Sequence, residues 1–206
     1  MRADEHNNFV QLLNTLPTKN WRGCIIHHSL TEDGDALDIE GIKKFHKSYR
    51  IDGKSVSRDE FDRRKAMGEG KRFLEPWKDI GYHLVLEQVN KQLLWELGRP
   101  LDQPGAHTFG FNDSHLGICL VGDYDLKNPY DTPRWELLLE MVRTLMQLHE
   151  FTVNDVLGHR ETFERRGVPV EKSCPGWKFD LKKFRQDLTV APPPAKKFDD
   201  DDYAHT

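Results

Sequence analysis

Short apolar runs alternate with amphipathic stretches along this chain, and the two periodicities separate strands from helices. Phe9, Leu12, Leu13 and Leu16 recur at helical spacing, and Pro17 ends the helix they predict. Residues 21–27 read as a buried strand that closes on Cys24-Ile25-Ile26-His27. Asp38 is placed to cap a helix carrying Ile39, Ile42 and Phe45 as its apolar stripe. Gly81-Tyr82-His83-Leu84-Val85-Leu86-Glu87 reads as a strand, with Leu93 to Leu97 as its hairpin partner. The run from Gly117 to Gly122 is continuously apolar, the mark of a central strand covered on both faces.

Thr132-Pro133 opens the clearest helix, with proline at its first position. Its inward stripe is Trp135, Leu138, Met141 or Val142, Leu145 and Leu148. Val156 to His159 is a further strand, and Phe179, Leu181 and Phe184 predict a closing helix. Strands alternating with helices predict an α/β domain, a mixed and mostly parallel sheet flanked by helices. In such sheets ligands gather at one edge, beyond the strand ends.

The chain divides into an N-terminal helical extension (1–19), one main domain (20–190) and an acidic tail (191–206). The tail, with Pro192-Pro193-Pro194 and Asp199 to Asp202, has no means of burying a core, and disorder is expected there. Inside the domain, 52–78 is a charged excursion. Ser57-Arg58-Asp59-Glu60 is a capping-box pattern there, and Gly68 is placed to end the short helix it starts. The surrounding charges predict an exposed segment pinned by Phe73 and Trp77, not a second core. Residues 98–115 form a loop suited to the rim of a cleft.

A formal net charge of −4 leaves no general basic footprint, so no nucleic-acid partner is expected. No stretch approaches the roughly 20 apolar residues that a bilayer requires, so no membrane span is expected. The N-terminus lacks the apolar core of a signal peptide, which predicts synthesis in the cytoplasm. Three cysteines do not make a disulfide framework. Cys24 and Cys119 lie in apolar runs and read as small buried hydrophobes. Cys174, on the turn Lys172-Ser173-Cys174-Pro175-Gly176, does not.

His27 and His159 each end an apolar run, so strands would deliver both imidazoles to one sheet edge. Together with Cys174 they suit a tetrahedral Zn²⁺, and three protein ligands leave the fourth position open, the pattern of a catalytic site. Strand alternation turns His28 away from His27, so the pair does not share one ion. By the same argument His83 is core or supports its neighbours, while His46, among lysines, reads as solvated.

These contexts resemble the zinc-dependent N-acetylmuramoyl-L-alanine amidases of the type 2 class, which include phage lysozymes of the amidase kind and peptidoglycan recognition proteins. The matching segments are Ile25-Ile26-His27-His28-Ser29, Gly81-Tyr82-His83, Gly105-Ala106-His107 with Gly110-Phe111-Asn112, Gly117 to Gly122, and Gly158-His159 with Lys172-Ser173-Cys174-Pro175. The resemblance implies one Zn²⁺ held by His27, His159 and Cys174. It implies Tyr82 beside the reacting water, Lys172 facing the scissile carbonyl, and His107 and Asn112 on the substrate cleft; His28, turned from the ion by strand alternation, is expected to line that cleft or to support a ligand.

The implied substrate is peptidoglycan or a muropeptide, cut by a monomer. A phage or prophage endolysin, made in the cytoplasm and acting on the wall after release, is the reading that Cys174 favours. The alternatives are a cytoplasmic recycling amidase for anhydro-muropeptides, whose relatives carry Asp at that position, and a non-catalytic peptidoglycan receptor. The long excursion and the long loop 160–171, with Arg165 and Arg166, depart from the family's smallest members.

Overall fold

The computed structural model describes residues 3–32 and 38–190; the expectation for the acidic tail lies outside the described residues. Helix α1 spans Ala3–Thr15 and is followed by strand β1, Gly23–His28. Helix α1 starts earlier than its apolar spacing implies, because its first turns are polar. It is docked on the domain: Leu13 is fully buried and the Phe9 ring lies 6.5 Å from Trp95. Leu12, expected on the inward stripe, is instead 43% exposed.

Helix α2 (Asp38–His46) precedes the excursion, which folds as β2 (Tyr49–Ile51), β3 (Lys54–Val56), α3 (Arg58–Met67) and β4 (Phe73–Leu74). The Ser57 hydroxyl accepts from Glu60 N–H, and Gly68 ends α3 in the left-handed conformation (φ 68°), as the cap pattern predicts. The segment is not coreless, however. Strands β3-β2-β4 form an antiparallel sheet, and Phe61, 1% exposed, packs between the rings of Tyr49 (4.9 Å) and Phe73 (5.7 Å). One aromatic residue on a charged helix is enough to give the excursion its own small core.

The main sheet continues with β5 (Leu84–Val89), β6 (Gln92–Leu97), β7 (His115–Leu120) and β8 (Val156–Gly158). Its order is β6-β5-β7-β1-β8, antiparallel only between β5 and β6. Helices α4 (Pro133–His149), α5 (Glu161–Arg165) and α6 (Leu181–Thr189) complete the fold. The mixed, mostly parallel sheet and its flanking helices agree with the expected class, and β7 is the central strand.

The two faces of the sheet are unequal. Cys24, Ile26, Leu84, Leu86, Ile118 and Leu120 pack with Trp135, Leu138, Val142 and Phe184 in the larger core. Val85, Cys119 and Val121 face the other way, toward Ile39 of α2 and Ile80, with Tyr82 against them. Alternation along β1 therefore puts His27 on the α2 side and His28 on the α4 side. The register agrees, because His27 pairs with Cys119 and Cys119 with Val85.

Candidate metal centre

Strands β1 and β8 are parallel neighbours, with Ile26 paired to Gly158. One step further along both, His27 and His159 emerge side by side, their rings 4.7 Å apart, and His159 N–H donates to the Ile26 carbonyl at 3.1 Å. Gly158 makes room for the third group: a Cβ there would meet Leu181 at 2.5 Å and Pro175 at 2.9 Å, and Pro175 follows Cys174 directly. Cys174 Sγ lies 3.5 Å from His27 Nδ1. One ligand atom from each of His27, His159 and Cys174 falls within 4.8 Å of the others, and all three residues are buried.

This donor set fits Zn²⁺. Tetrahedral bonds of about 2.0–2.3 Å put ligand atoms ~3.3–3.8 Å apart, a modest contraction of the observed cluster. A ligating imidazole must be neutral and a ligating cysteine ionised. Burial, His159 and His107 push the His27 pKa well below its ordinary value, and burial with Lys172 and Arg166 holds His159 down to about 3. Both imidazoles are therefore neutral at pH 7. Burial pushes the Cys174 thiol up to about 12, against the opposing pull of the His28 backbone N–H, Lys172 and Arg160. A cation held by these three residues would reverse that balance and favour the thiolate.

The surroundings orient these candidate ligands. His107 Nε2 lies 3.2 Å from the His115 carbonyl and donates to it, so its Nδ1 accepts from His27 Nε2–H at 3.1 Å. That tautomer leaves the His27 Nδ1 lone pair facing Cys174, the role usual for the partners of metal-ligating histidines. Gly117 admits the His107 ring, since a Cβ would stand 2.5 Å from it. Asn112 Oδ1 accepts from the backbone N–H groups of His107 (2.9 Å) and Thr108 (2.8 Å), bracing the loop.

His107 and Asn112 were expected on the substrate cleft. The structure places His107 behind His27 and uses the Asn112 carbonyl to hold its loop. His28 is likewise turned inward, 6% exposed, and its Nδ1 accepts from Tyr124 N–H at 3.3 Å. The alternation of β1 explains its position.

Tyr82 is half-buried with its ring 5.0 Å from His27. Burial, Cys119 and Cys174 hold its phenol protonated, well above the ordinary range. Cys119 is buried as expected, yet its thiol also hydrogen-bonds Tyr82. Lys172 is exposed at the chain surface, and its pKa is lowered by burial of its ammonium end and by Arg72. His46, expected to be solvated, is 6% exposed: its ring lies tilted against Trp77 at 4.6 Å and its Nδ1 accepts from Gly81 N–H at 3.0 Å. It thus braces the segment before β5 that presents Tyr82.

Three residues that the sequence did not single out complete the surroundings. Thr108 Oγ1 is 3.1 Å from His107 Nδ1, Arg160 follows His159 and binds the Cys174 turn, and Asp125 accepts from Ser173 Oγ and Trp177 N–H, both at 2.7 Å.

A mostly parallel sheet whose strand ends bring two imidazoles beside a turn-borne thiol holds a candidate single-metal centre, and comparison with known proteins places it in a class of hydrolases. The family described as N-acetylmuramoyl-L-alanine amidase matches residues 17–177, and the chain belongs to that family. The endolysin of Escherichia phage T7 is 32% identical over 163 residues, covering 77% of this chain and 82% of its own. That of Enterobacteria phage K11 is 41% identical over 115 residues, covering 52% and 65%.

Among solved structures, the amidase LysC from Clostridium intestinale URNW has a TM-score of 0.55 at 22% identity, covering 86% of this chain and 94% of that one. Bumblebee PGRP-SA has a TM-score of 0.55 at 19% identity, covering 87% and 89%. At these identities the structural likeness speaks for the fold.

Proposed function

We propose that this chain is a zinc-dependent endolysin that hydrolyses the amide between the lactyl group of N-acetylmuramic acid and L-alanine in peptidoglycan. The convergence of His27, His159 and Cys174 within 4.8 Å, at the ends of two parallel strands and a braced turn, carries the reading. Family membership supports the bond cleaved, and the phage endolysins among its relatives support the biological setting.

When bound, Zn²⁺ supplies a Lewis acid that acidifies water and polarises the amide carbonyl. The chain's own groups do the rest. His107 fixes the tautomer of His27. Tyr82, protonated at neutral pH, offers an O–H beside the cluster to orient the attacking water or relay a proton. The Lys172 ammonium stabilises the oxyanion that forms as the carbonyl becomes tetrahedral.

Mass analysis of the products released from purified sacculi, with and without a chelator, tests the reading. Chelator-sensitive release of peptides with a free N-terminal alanine is expected. Cleavage of glycosidic bonds instead, or cleavage confined to soluble anhydro-muropeptides, would overturn it.

A further inference from the structure

Of the five tryptophans only Trp177 is exposed, at 65%. Its position is fixed nonetheless. Its backbone N–H donates to Asp125 at 2.7 Å, and the Arg160 guanidinium lies over its ring, 5.6 Å from the centroid. That guanidinium is itself held by the carbonyls of Ser173, Gly176 and Phe179, so it backs the indole rigidly while much of the ring stays open to solvent. One exposed aromatic is ordinary on a protein surface. This one borders a groove.

The groove follows the outer edge of the main sheet, beside β8, α5 and α6. A cavity of about 430 Å³ next to Trp177 and Lys182 meets a second of about 520 Å³ that reaches Asn154 and Leu157, and Glu161, Glu164 and Arg185 line both. Each volume falls in the range of small-ligand sites, about 300–1,000 Å³. None of His27, His159 and Cys174 lines either cavity, so the groove is separate from the candidate metal centre.

The lining narrows the ligand. Glu161 and Arg185 form a two-bonded ion pair (2.8 and 3.0 Å) that also caps the free edge of β8: Glu161 accepts from Gly158 N–H at 2.9 Å, and Arg185 donates to the Val156 carbonyl at 3.1 Å. With these edge groups engaged, an extended peptide finds no ladder to join. Arg165 donates to the Asn154 carbonyl at 3.1 Å, and the Asp180 carboxylate accepts from Lys182 N–H at 2.8 Å. Glu164 and Lys182 add one charge of each sign. The charges nearly cancel, which gives an ionic ligand little to match. Planar hydrogen-bonding groups beside an aromatic face suit a sugar instead, because a pyranose ring offers an apolar C–H face to an indole and hydroxyls around its rim.

We propose that Trp177 and this groove form a second binding site, for a stretch of neutral glycan such as the sugar strand of the wall polymer, apart from the cleft in which the amide is cut. Trp177 follows directly on Cys174-Pro175-Gly176, so a strand seated there stays close to the turn of the metal centre. The choice of wall glycan as ligand rests on the amidase reading.

Calorimetric titration of the zinc-loaded full chain with chitohexaose, a neutral and peptide-free oligomer of N-acetylglucosamine, tests the site. Saturable binding is expected, changing less than about twofold between low and moderate salt because no net charge is neutralised. Trp177→Ala should weaken it roughly tenfold or more, with the melting transition of wild type, and Trp177→Tyr should restore much of the loss. Removal of zinc by a chelator should leave the affinity as it was. Absence of binding in the wild type, wild-type affinity in Trp177→Ala, or binding that disappears with the metal overturns the groove, and cleavage of sacculi by the same protein would then leave the amidase reading intact. A zinc-loaded wild type that binds the oligomer through Trp177 yet leaves sacculi uncut supports the groove and fails the amidase reading.

Discussion

Arg160 fastens the turn that carries Cys174. Its backbone N–H donates to the Cys174 carbonyl at 2.8 Å, and its guanidinium donates to the carbonyls of Ser173 (3.0 Å), Gly176 (2.6 Å) and Phe179 (2.7 Å). Because Arg160 directly follows His159, one residue ties two candidate ligands to a common frame. Arg160→Gln should loosen that frame and weaken zinc binding by about 10–100-fold, the usual cost of losing a supporting partner. Competition with a chromophoric chelator measures it, and an affinity equal to wild type would refute the role.

Cys174→Ser should do more, because it removes a donor atom and not just its support. Zinc content after dialysis should fall below one ion per chain, with amidase activity falling in parallel. In cobalt-substituted protein, the thiolate-to-metal charge-transfer band should disappear. A variant that retains that band would show that another sulfur is the ligand.

Lys172→Ala should lower kcat by about 10²–10³-fold while the metal stays bound, the effect of removing one oxyanion donor. Tyr82→Phe should also lower kcat with zinc content intact, since the ring remains against His27 and only the hydroxyl is lost. Full turnover in Lys172→Ala would remove it from the mechanism.

Glu87 makes folding depend on pH. Its buried carboxylate accepts from the N–H groups of Asp38 and Ile39 at the start of α2, yet burial raises its pKa from 4.5 to about 7. The folded state therefore holds this proton more tightly than the unfolded chain does. The resulting stabilisation is complete below the unfolded pKa and is lost as pH rises through about 7. Glu87→Gln keeps an acceptor without the charge, so the difference in melting temperature between variant and wild type should widen in the variant's favour from pH ~5 to ~8. A constant difference across that range would exclude Glu87 as the titrating group.

The main sheet was legible because its strands are continuous apolar runs, and alternation alone separated His27 from His28. The small sheet was not. Its strands are three, three and two residues long, too short to display a period, and the charges around them hide Phe61. His46 was misread from its lysine neighbours in sequence, although helical spacing sets it four residues after Ile42 and seven after Ile39, on the inward side. The supporting roles of His107 and Arg160 depend on bonds to backbone carbonyls far along the chain, and residue types carry no record of such partners. The candidate ligand set was readable because His27 and His159 each end an apolar run and Cys174 stands on a polar turn.

The candidate ligands sit at positions 27, 159 and 174, and the turn bearing the last is held from Asp125 and Arg160. A growing polypeptide thus has no complete metal centre until nearly all of the described domain has left the ribosome. A fragment ending before Cys174 would carry both imidazoles but lack the thiol of the candidate site, so on the proposed mechanism premature termination would yield an inert product instead of a partly active one.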